Sequence, residues 1–400
     1  MNTTMEENKW RIANVLESFK IGWSDMEITE GPSVTLYEFR PAIGVKLTKI
    51  RNLKDEFALA LMASSVRVIA PIPGRGTVGI EVPHKKKTIL PLSDIFESPE
   101  FRMTSMTLPL AIGRTITNKV FIRDLADMPH LLVAGATGQG KSVGLNVMLM
   151  SLLRKKTPDE LKLVLIDPKK VELSAYEKIA RPYITRMEGL PAIITEADHA
   201  QIMLDGLCRL MEKRYTLLNQ IGARNIMEYN ASSEKKMEYY VIVIDEYGDL
   251  VMQSGKEMER LICRLAQKAR AVGMHMVIST QRPSATIVTG NIKANFPTRI
   301  AFRTTTGTDS RVILDQIGAE KLTGCGDMLF FSGAEVTRAQ CAFIGTDEVN
   351  DTLQKIGELY ATHRPKVLRV INQQQQYDNS ESLRQLAEKT GLKNSRCLWF

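Results

Sequence analysis

The sequence has few cysteines and no long hydrophobic run. None of its apolar stretches approaches the ~18 to 20 residues that a helix needs to cross a bilayer, and the first residues, MNTTMEENKWRI, lack the apolar core of a signal peptide. Its five cysteines form no Cys-x-x-Cys pair, which argues against a zinc site and favours free thiols in a reducing compartment. These absences predict a soluble, cytoplasmic chain with no membrane segment of its own.

The composition indicates a folded chain with a basic surface. Its 400 residues are 44% hydrophobic, which is ample for a buried core and typical of two or three domains. The net charge of +8 suits a polyanionic partner. Residues 261–311 concentrate this charge, with eight lysines and arginines against one acid, Asp309. Such a one-sided block favours binding to the phosphates of a nucleotide or a nucleic acid, and pairing with acids elsewhere in the fold is the alternative.

The stretch LLVAGATGQGKSVGLNVML, residues 131–149, is typical of a strand, a glycine-rich loop and a helix. It contains the complete pattern Gly-x-x-x-x-Gly-Lys-Ser, in which backbone N–H groups surround a phosphate. Lys141 is expected to reach the β- and γ-phosphates, and the Ser142 hydroxyl to bind Mg²⁺ at the helix N-terminus. A glycine-rich turn before a core helix is the alternative. The residues predicted to bind the nucleotide are Gly135, Ala136, Thr137, Gly138, Gln139, Gly140, Lys141 and Ser142.

The first hundred residues predict a small α/β module over residues 1–104. Its elements are expected over residues 5–20 (helix), 33–39 (strand), 52–63 (helix), 66–70 (strand) and 77–82 (strand). Asn52 is the expected N-cap of the second helix. The lysine run at 85–87 could touch DNA, but an exposed charged turn is the preferred interpretation.

From about residue 105 the pattern changes to alternating strands and helices. This alternation predicts an α/β fold with a mainly parallel sheet and helices on both faces. Strands are expected over residues 130–134, 161–166, 240–244, 274–279, 299–302 and 327–331. Helices are expected over residues 141–154, 196–220 and 256–272. The sequence therefore predicts a P-loop ATPase domain over residues 105–350, then a tail over residues 351–400 with a glutamine-rich linker at 373–376 and one helix near 380–390.

Two acids follow a buried run of β-branched residues in the segment YYVIVIDEYGDL. Asp245 suits a water-bridged Mg²⁺ position, and Glu246 can polarise the water that attacks the γ-phosphate. Acids also end strands simply because the chain meets solvent, so a structural role is the alternative. Gln281 follows another predicted strand, MHMVIST, from which it could sense the γ-phosphate.

Several longer segments occur in a characteristic order. They are PHLLVAGATGQGKSV, LIDPKKVELSAY, VIVIDEYGDL, ARAVGMHMVISTQRPS and DSRVILDQIGAEKLTGCGDML. These segments resemble successive signatures of the FtsK/SpoIIIE family of double-stranded DNA translocases. The N-terminal segments GPSVTLYEFRPA, IRNLKDEFALAL and APIPGRGTVGIEVP resemble the α module that precedes the RecA-like β motor of that family. The resemblance covers about residues 8 to 350.

The resemblance implies a hexameric ring that hydrolyses ATP with Mg²⁺ at its subunit interfaces and holds double-stranded DNA in its pore. By the same resemblance, Lys141, Asp245, Glu246 and Gln281 are catalytic, with Asp245 and Glu246 as the Walker B pair.

Other family positions face a neighbouring subunit or DNA. Arg270 resembles the arginine finger that is offered to the next subunit. Arg282, Lys293 and Arg311 match positions that contact the DNA backbone. One departure is Gly307, which stands where family members often carry a lysine.

Two further family features are not expected in this chain. Full-length members usually begin with membrane helices and end with a winged-helix γ module that reads DNA polarity motifs. We therefore expect a motor that moves without direction and needs a separate, membrane-bound recruiter to act at a membrane. The alternative function is that of a related ATPase that powers protein export or mobile-element DNA transfer. A DNA-binding remnant without turnover is disfavoured by the complete set of catalytic residues.

Overall fold

The structure is a computed structural model, and it describes residues 3–63, 65–72, 74–84, 89–333 and 335–369. Three expectations lie outside the described residues: the lysine run at 85–87, the glutamines at 373–376 and the helix near 380–390. Across the described ranges, no helix combines the length and the apolar character that a membrane span requires.

The described part of the N-terminal module, up to residue 84, contains one small sheet and three helices. Its elements are α1 (Thr3–Ser18), β1 (Trp23–Glu30), β2 (Val34–Pro41), α2 (Leu47–Asn52), α3 (Lys54–Ala60), β3 (Arg67–Ile69) and β4 (Val78–Pro83). The four strands are antiparallel, in the order β1-β2-β4-β3. Ile12 and Leu16 of α1 share one core with Tyr37 of β2 and Phe57 of α3.

The helix predicted over residues 52–63 is wrong in its bounds. Two short helices, α2 and α3, occupy residues 47–60 instead. Leu53 separates them because its φ of −82° and ψ of 17° leave the helical region. Asn52 is consequently the last residue of α2 rather than a cap. Strand β1 is missed by sequence reasoning because it is an edge strand whose residues are mostly polar, with Met26 the buried one.

The elements of the second part follow in chain order. They are α4 (Leu92–Phe96), α5 (Pro99–Arg102), β5 (Pro109–Thr115), β6 (Val120–Asp124), β7 (His130–Ala134), α6 (Lys141–Lys155), β8 (Leu161–Ile166), β9 (Thr185–Met187), β10 (Ile193–Ile194), α7 (Ala197–Gln220), α8 (Ile226–Ser232), β11 (Tyr239–Ile244), α9 (Tyr247–Lys268), β12 (Met274–Thr280), α10 (Gly290–Asn295), β13 (Thr298–Phe302), α11 (Gly307–Leu314), β14 (Asp327–Ser332), β15 (Glu335–Cys341), α12 (Thr346–Leu359) and β16 (Lys366–Leu368). Ten of these strands form one sheet, in the order β10-β8-β11-β12-β7-β13-β14-β15-β5-β6, and β16 pairs separately with β9.

The strands from β10 to β13 in this order are parallel and covered on both faces. Leu131 and Val133 of β7 pack in one core with residues of α6, whereas Leu132 packs in a second core with residues of α7 and α9. Covering both faces explains why these strands are continuous apolar runs. The arrangement confirms the predicted α/β fold with a mainly parallel sheet, and it brings the carboxyl ends of six strands to one edge.

Most element predictions in this part are confirmed. Each predicted strand lies within one residue of the observed ends, and the first two predicted helices correspond to α6 and α7. The helix predicted over residues 256–272 has the wrong bounds, because α9 begins at Tyr247 and ends at Lys268. Gly255, with φ 59° and ψ −141°, breaks α9 into two parts, and Ala269–Val272 form a 3₁₀ helix.

An antiparallel extension of the sheet is only partly visible in the sequence. Strands β14, β15, β5 and β6 continue the sheet beyond β13. Strand β15 escapes prediction because Arg338 and Gln340, which are polar, are buried in it. Arg338 is paired with Glu81 of β4 and Asp327 of β14, so its burial joins the N-terminal module to the large sheet.

The packing bears on where the chain divides. The N-terminal core ends at Val82, whereas Leu92 and Phe101 already pack in the core of the large sheet. The division at residue 104 stays a prediction, and this packing favours an earlier one. Helix α12 also crosses the predicted limit at residue 350, since Val349 and Leu353 belong to the core of the large sheet.

Candidate nucleotide site

The phosphate loop, residues 135–142, follows β7 at the carboxyl edge of the sheet. Gly138 and Gly140 have φ of 74° and 115°, in the left-handed region that favours glycine. A Cβ on Gly140 would lie 2.8 Å from the backbone of Gly326, so this close approach also requires glycine. Helix α6 begins at Lys141. Its free N–H groups and its dipole favour an anion at the loop.

Lys141 lies at the centre of the site. Its side chain is 3% exposed, and its ammonium donates to Asp245 Oδ1 and, at 3.2 Å, to Ser279 Oγ. The Ser279 hydroxyl donates to the same Asp245 oxygen. The other oxygen, Asp245 Oδ2, is buried and has no hydrogen-bond partner among the described residues. A buried carboxylate oxygen without a donor is suited to a further ligand.

Glu246 is fully buried between two strand ends. It occupies the left-handed region with φ 46°, directly before α9. One carboxylate oxygen, Oε1, accepts from Thr280 Oγ1 at 2.9 Å and from the Gln281 N–H at 3.0 Å. The other, Oε2, accepts from the Lys169 ammonium at 2.9 Å. Strained backbone of this kind clusters at functional sites.

Gln281 lies between the acids and the phosphate loop. Its side-chain oxygen accepts a hydrogen bond from Thr137 Oγ1 at 2.7 Å. Strands β11, β12 and β7 are neighbours in the sheet, which brings these residues together although they are up to 144 positions apart. All the residues predicted for the nucleotide therefore lie at one edge of the sheet.

Three residues of this site are missed by sequence reasoning. Asp167, Lys169 and Glu172 follow β8, the neighbour of β11 in the sheet. Lys169 contacts Glu246, and Glu172 accepts a hydrogen bond from the Ser142 hydroxyl. The signal was the charged segment DPKKVE directly after a buried strand, the same pattern that identifies Asp245.

The oxygens present fit a Mg²⁺ ion that arrives with a nucleotide. Mg²⁺ in such sites uses one or two protein ligands together with phosphates and waters. Ser142 Oγ and the unpartnered Asp245 Oδ2 are donors of the required type. The described residues contain no group of three or more histidines, cysteines or carboxylates that could hold a metal.

A cavity of about 380 Å³ adjoins the phosphate loop. Its wall includes the apolar residues Leu90, Ala342 and Phe343, and Ser33 of the N-terminal module also lines it. Burial raises the pKa of the Cys341 thiol in this wall to about 12, so the wall carries no charge there. An apolar recess beside a phosphate site suits a nucleobase.

Arg270 lies far from this site in the same chain. It belongs to the 3₁₀ turn before β12, not to the α-helix that the sequence predicts. Its neighbours are nevertheless buried as predicted, including Leu265, Ala269 and Val272. The seven residues of β12, at ~3.3 Å each, separate it from the carboxyl edge by roughly 23 Å. Arg270 is exposed and has no ion-pair partner in the described part of the chain.

The basic residues of segment 261–311 divide into two groups. Acidic partners exist for Arg264, Lys268, Lys293 and Arg299. The described residues provide no acidic partner for Arg270, Arg282, Arg303 and Arg311, which are all exposed. Four of the eight basic residues therefore pair with acids elsewhere in the fold, as the alternative interpretation expects. Among the predicted DNA contacts, Arg282 and Arg311 are exposed and have no acidic partner in the described ranges, whereas the Lys293 ammonium donates to Asp315 at 2.6 Å.

The sheet order, the phosphate loop and the acids at its edge define a RecA-like P-loop NTPase. Solved structures have a similar fold. The conjugation coupling protein TcpA of pCW3 has a TM-score of 0.61 and 24% identity, over 89% of this chain and 99% of that one. The cytoplasmic domain of the Thermomonospora curvata type VII secretion ATPase EccC has a TM-score of 0.58 and 20% identity, over 68% of this chain and 34% of that one.

Sequence comparison gives the family. The model of the FtsK/SpoIIIE family matches residues 91–285, and that of the FtsK alpha domain matches residues 1–84. The DNA translocase FtsK of Haemophilus influenzae is 42% identical, over 86% of this chain and 69% of its own length. That of Chlorobaculum tepidum is 45% identical, over 88% of this chain and 45% of its own length. The chain belongs to the FtsK/SpoIIIE family, and it spans about half the length of several of these relatives.

Proposed function

We propose that the chain is an ATPase that drives translocation along double-stranded DNA. The observation that carries this proposal is the joining of Lys141, Asp245 and Glu246 at one edge of the sheet, in a chain of the FtsK/SpoIIIE family. The DNA translocases named among its relatives support the substrate.

The contacts suggest how the site handles ATP. A phosphate in the loop competes with Asp245 for the Lys141 ammonium, because both are anions at the same donor. Asp245 is then released from Lys141, and together with the Ser142 hydroxyl oxygen it would hold a Mg²⁺ ion. Such an ion would supply neutralisation of the phosphate charge. Glu246 orients and polarises the attacking water, and Gln281 is placed to detect the γ-phosphate.

We further propose that the protein works as a ring of six subunits. Arg270 cannot reach its own phosphate loop across roughly 23 Å of β12. In a head-to-tail ring, the edge that carries Arg270 can face the phosphate loop of the next subunit. Arg282 and Arg311, with Lys293, would contact DNA phosphates in the pore. Such a ring acts in the cytoplasm, where ATP and DNA are found, and a membrane-bound partner could recruit it.

The test is ATP hydrolysis by the purified chain with and without duplex DNA. We expect stimulation by duplex DNA, loss of hydrolysis without Mg²⁺, and loss of turnover but not of ATP binding in Glu246→Gln. The matched control is Glu234→Gln, since Glu234 is an exposed glutamate outside the site. Parent-rate hydrolysis by Glu246→Gln would contradict the catalytic assignment. Stimulation by unfolded protein rather than by DNA would favour the export alternative.

A further inference from the structure

The loop after β8, residues 167–173, is organised around one buried carboxylate. Asp167 Oδ1 accepts the backbone N–H groups of Lys169 and Lys170, each at 3.1 Å. Its Oδ2 accepts those of Val171 and Leu173, each at 3.0 Å. Four charge-assisted bonds to one buried group fix the backbone of the loop as a unit. The backbone positions of Lys169 and Glu172, both in this loop, are thereby fixed relative to each other.

Lys169 holds the proposed general base. Its ammonium lies 2.9 Å from Glu246 Oε2 and 3.8 Å from Asp249. The Lys169 side chain is 37% exposed, whereas Glu246 is fully buried, so the lysine approaches the carboxylate from the solvent side. The other oxygen of Glu246 is already occupied by donors from β12 and Gln281.

This contact opposes the role of Glu246. A general base needs a lone pair directed at the water and enough basicity to polarise it. An ammonium on Oε2 occupies a lone pair and withdraws electron density from the carboxylate. Oε2 is a better acceptor for that water once Lys169 has moved away.

The same loop also reaches the metal end of the site. Glu172 accepts a hydrogen bond from the hydroxyl of Ser142, the residue that fits Mg²⁺. A metal bound to this hydroxyl oxygen would change the charge that Glu172 meets. Because the bonds to Asp167 tie the backbone on both sides of Glu172 to that of Lys169, such a change would also be felt at Lys169.

We propose that Lys169 is a positioning residue that restrains Glu246 until metal and nucleotide are bound at Ser142 and duplex DNA is bound as well, with the 167–173 loop linking the state of Ser142 to Lys169. The inference rests on the proposed ATPase function and specifies how that site is regulated. It predicts that the restraint limits hydrolysis in the absence of DNA.

The first test removes the ammonium and keeps the length of the side chain. Lys169→Met should raise the DNA-free kcat roughly fivefold, which corresponds to about 1 kcal/mol, while KM for ATP changes by less than about twofold. Lys169→Gln provides a second variant without the charge. Lys169→Arg retains a cation, so its DNA-free kcat should stay closer to the parent value than that of Lys169→Met or Lys169→Gln. The ratio of the DNA-stimulated rate to the DNA-free rate should fall in Lys169→Met.

The matched control is Lys170→Met on the same loop. The Lys170 side chain is exposed and forms no ion pair within the described residues. The change to methionine keeps a Cβ at this position, where φ is 58°. Its DNA-free rate should equal that of the parent. A DNA-free kcat of Lys169→Met and Lys169→Gln at or below the parent value would overturn the proposal, because it would make Lys169 neutral or required.

A second readout does not depend on hydrolysis. Acetylation of Lys169, measured by mass spectrometry with Lys170 as internal reference, should be slow in the nucleotide-free protein because its amine is engaged by Glu246. It should rise in Glu246→Gln, and in the parent with Mg²⁺, a non-hydrolysable ATP analogue and duplex DNA. Equal reactivity in all these states would overturn the release step. If duplex DNA did not stimulate ATP hydrolysis by the parent, the proposed function would be contradicted. The DNA-free kcat values of parent and Lys169→Met would still test the restraint.

Discussion

Arg270→Ala tests the ring most sharply. Arg270 lies roughly 23 Å from the carboxyl edge of its own sheet, several times the reach of an arginine side chain, so contact with a γ-phosphate would require a neighbouring subunit. An arginine that stabilises charge in the transition state of phosphoryl transfer contributes about 10³- to 10⁵-fold in rate. We therefore expect DNA-stimulated kcat to fall by about that factor, while ATP binding, measured by a fluorescent analogue, changes by less than about twofold.

The control is Arg264→Ala, which removes an arginine from α9, the helix that precedes the turn of Arg270. Arg264 is exposed and pairs with Glu212 at 3.5 Å, so its loss should change turnover by less than about twofold. Equal losses in the two variants would assign Arg270 an ordinary surface role. Strongly weakened ATP binding in Arg270→Ala would also refute the reasoning, because a group that acts in the transition state should spare the ground state.

Mixing Arg270→Ala with Lys141→Ala shows whether the finger acts between subunits. Each variant should be inactive alone. A mixed ring contains interfaces that combine an intact Lys141 site with an intact Arg270 from its neighbour, so DNA-stimulated hydrolysis should partly return. No recovery in rings whose mixed assembly is verified by a label would count against action in trans. Doping each variant into the parent separates this outcome from strict coordination, which gives a loss steeper than linear.

Two further predictions concern DNA affinity and acid stability. Arg311→Ala should reduce the slope of log affinity against log salt by about one unit. Lys293→Ala should reduce it by less, because Asp315 already engages Lys293. Slopes equal to that of the parent in both variants would show that neither Arg311 nor Lys293 contacts DNA. Burial lowers the pKa of His130 to about 3 and that of His275 to about 4. Below pH ~6.5 these two histidines become protonated in the unfolded chain but stay neutral in the folded protein. As the pH falls, the free energy of unfolding, measured with urea, should therefore decrease by up to about 1.4 kcal/mol per pH unit for each histidine. The double variant His130→Gln/His275→Gln should show a flatter dependence.

The sequence predicts the parallel part of the sheet well because burial on both faces leaves continuous apolar runs, as in VIVI at residues 241–244. It predicts the antiparallel extension poorly because tertiary partners override the pattern. Arg338 is buried in β15 through its pairs with Glu81 and Asp327, and Glu81 lies 257 positions away. No local pattern reveals a charge whose partner is so distant.

The site divides in the same way. The phosphate loop and the acid pair are local motifs with a direct chemical meaning, so their positions could be predicted. The contact of Lys169 with Glu246 depends on the adjacency of β8 and β11, which only the sheet order gives. The pairing of Lys293 with Asp315 likewise depends on the turn at the end of α11. The roles assigned to Arg270, Arg282 and Arg311 stay predictions.

The central claim is that ATP hydrolysis moves this chain along duplex DNA. Displacement of a third strand, hybridised to one end of a linear duplex, measures that movement directly. We predict ATP-dependent displacement by the parent and none by Glu246→Gln. ATP hydrolysis that DNA stimulates but that never displaces the third strand would contradict the claim.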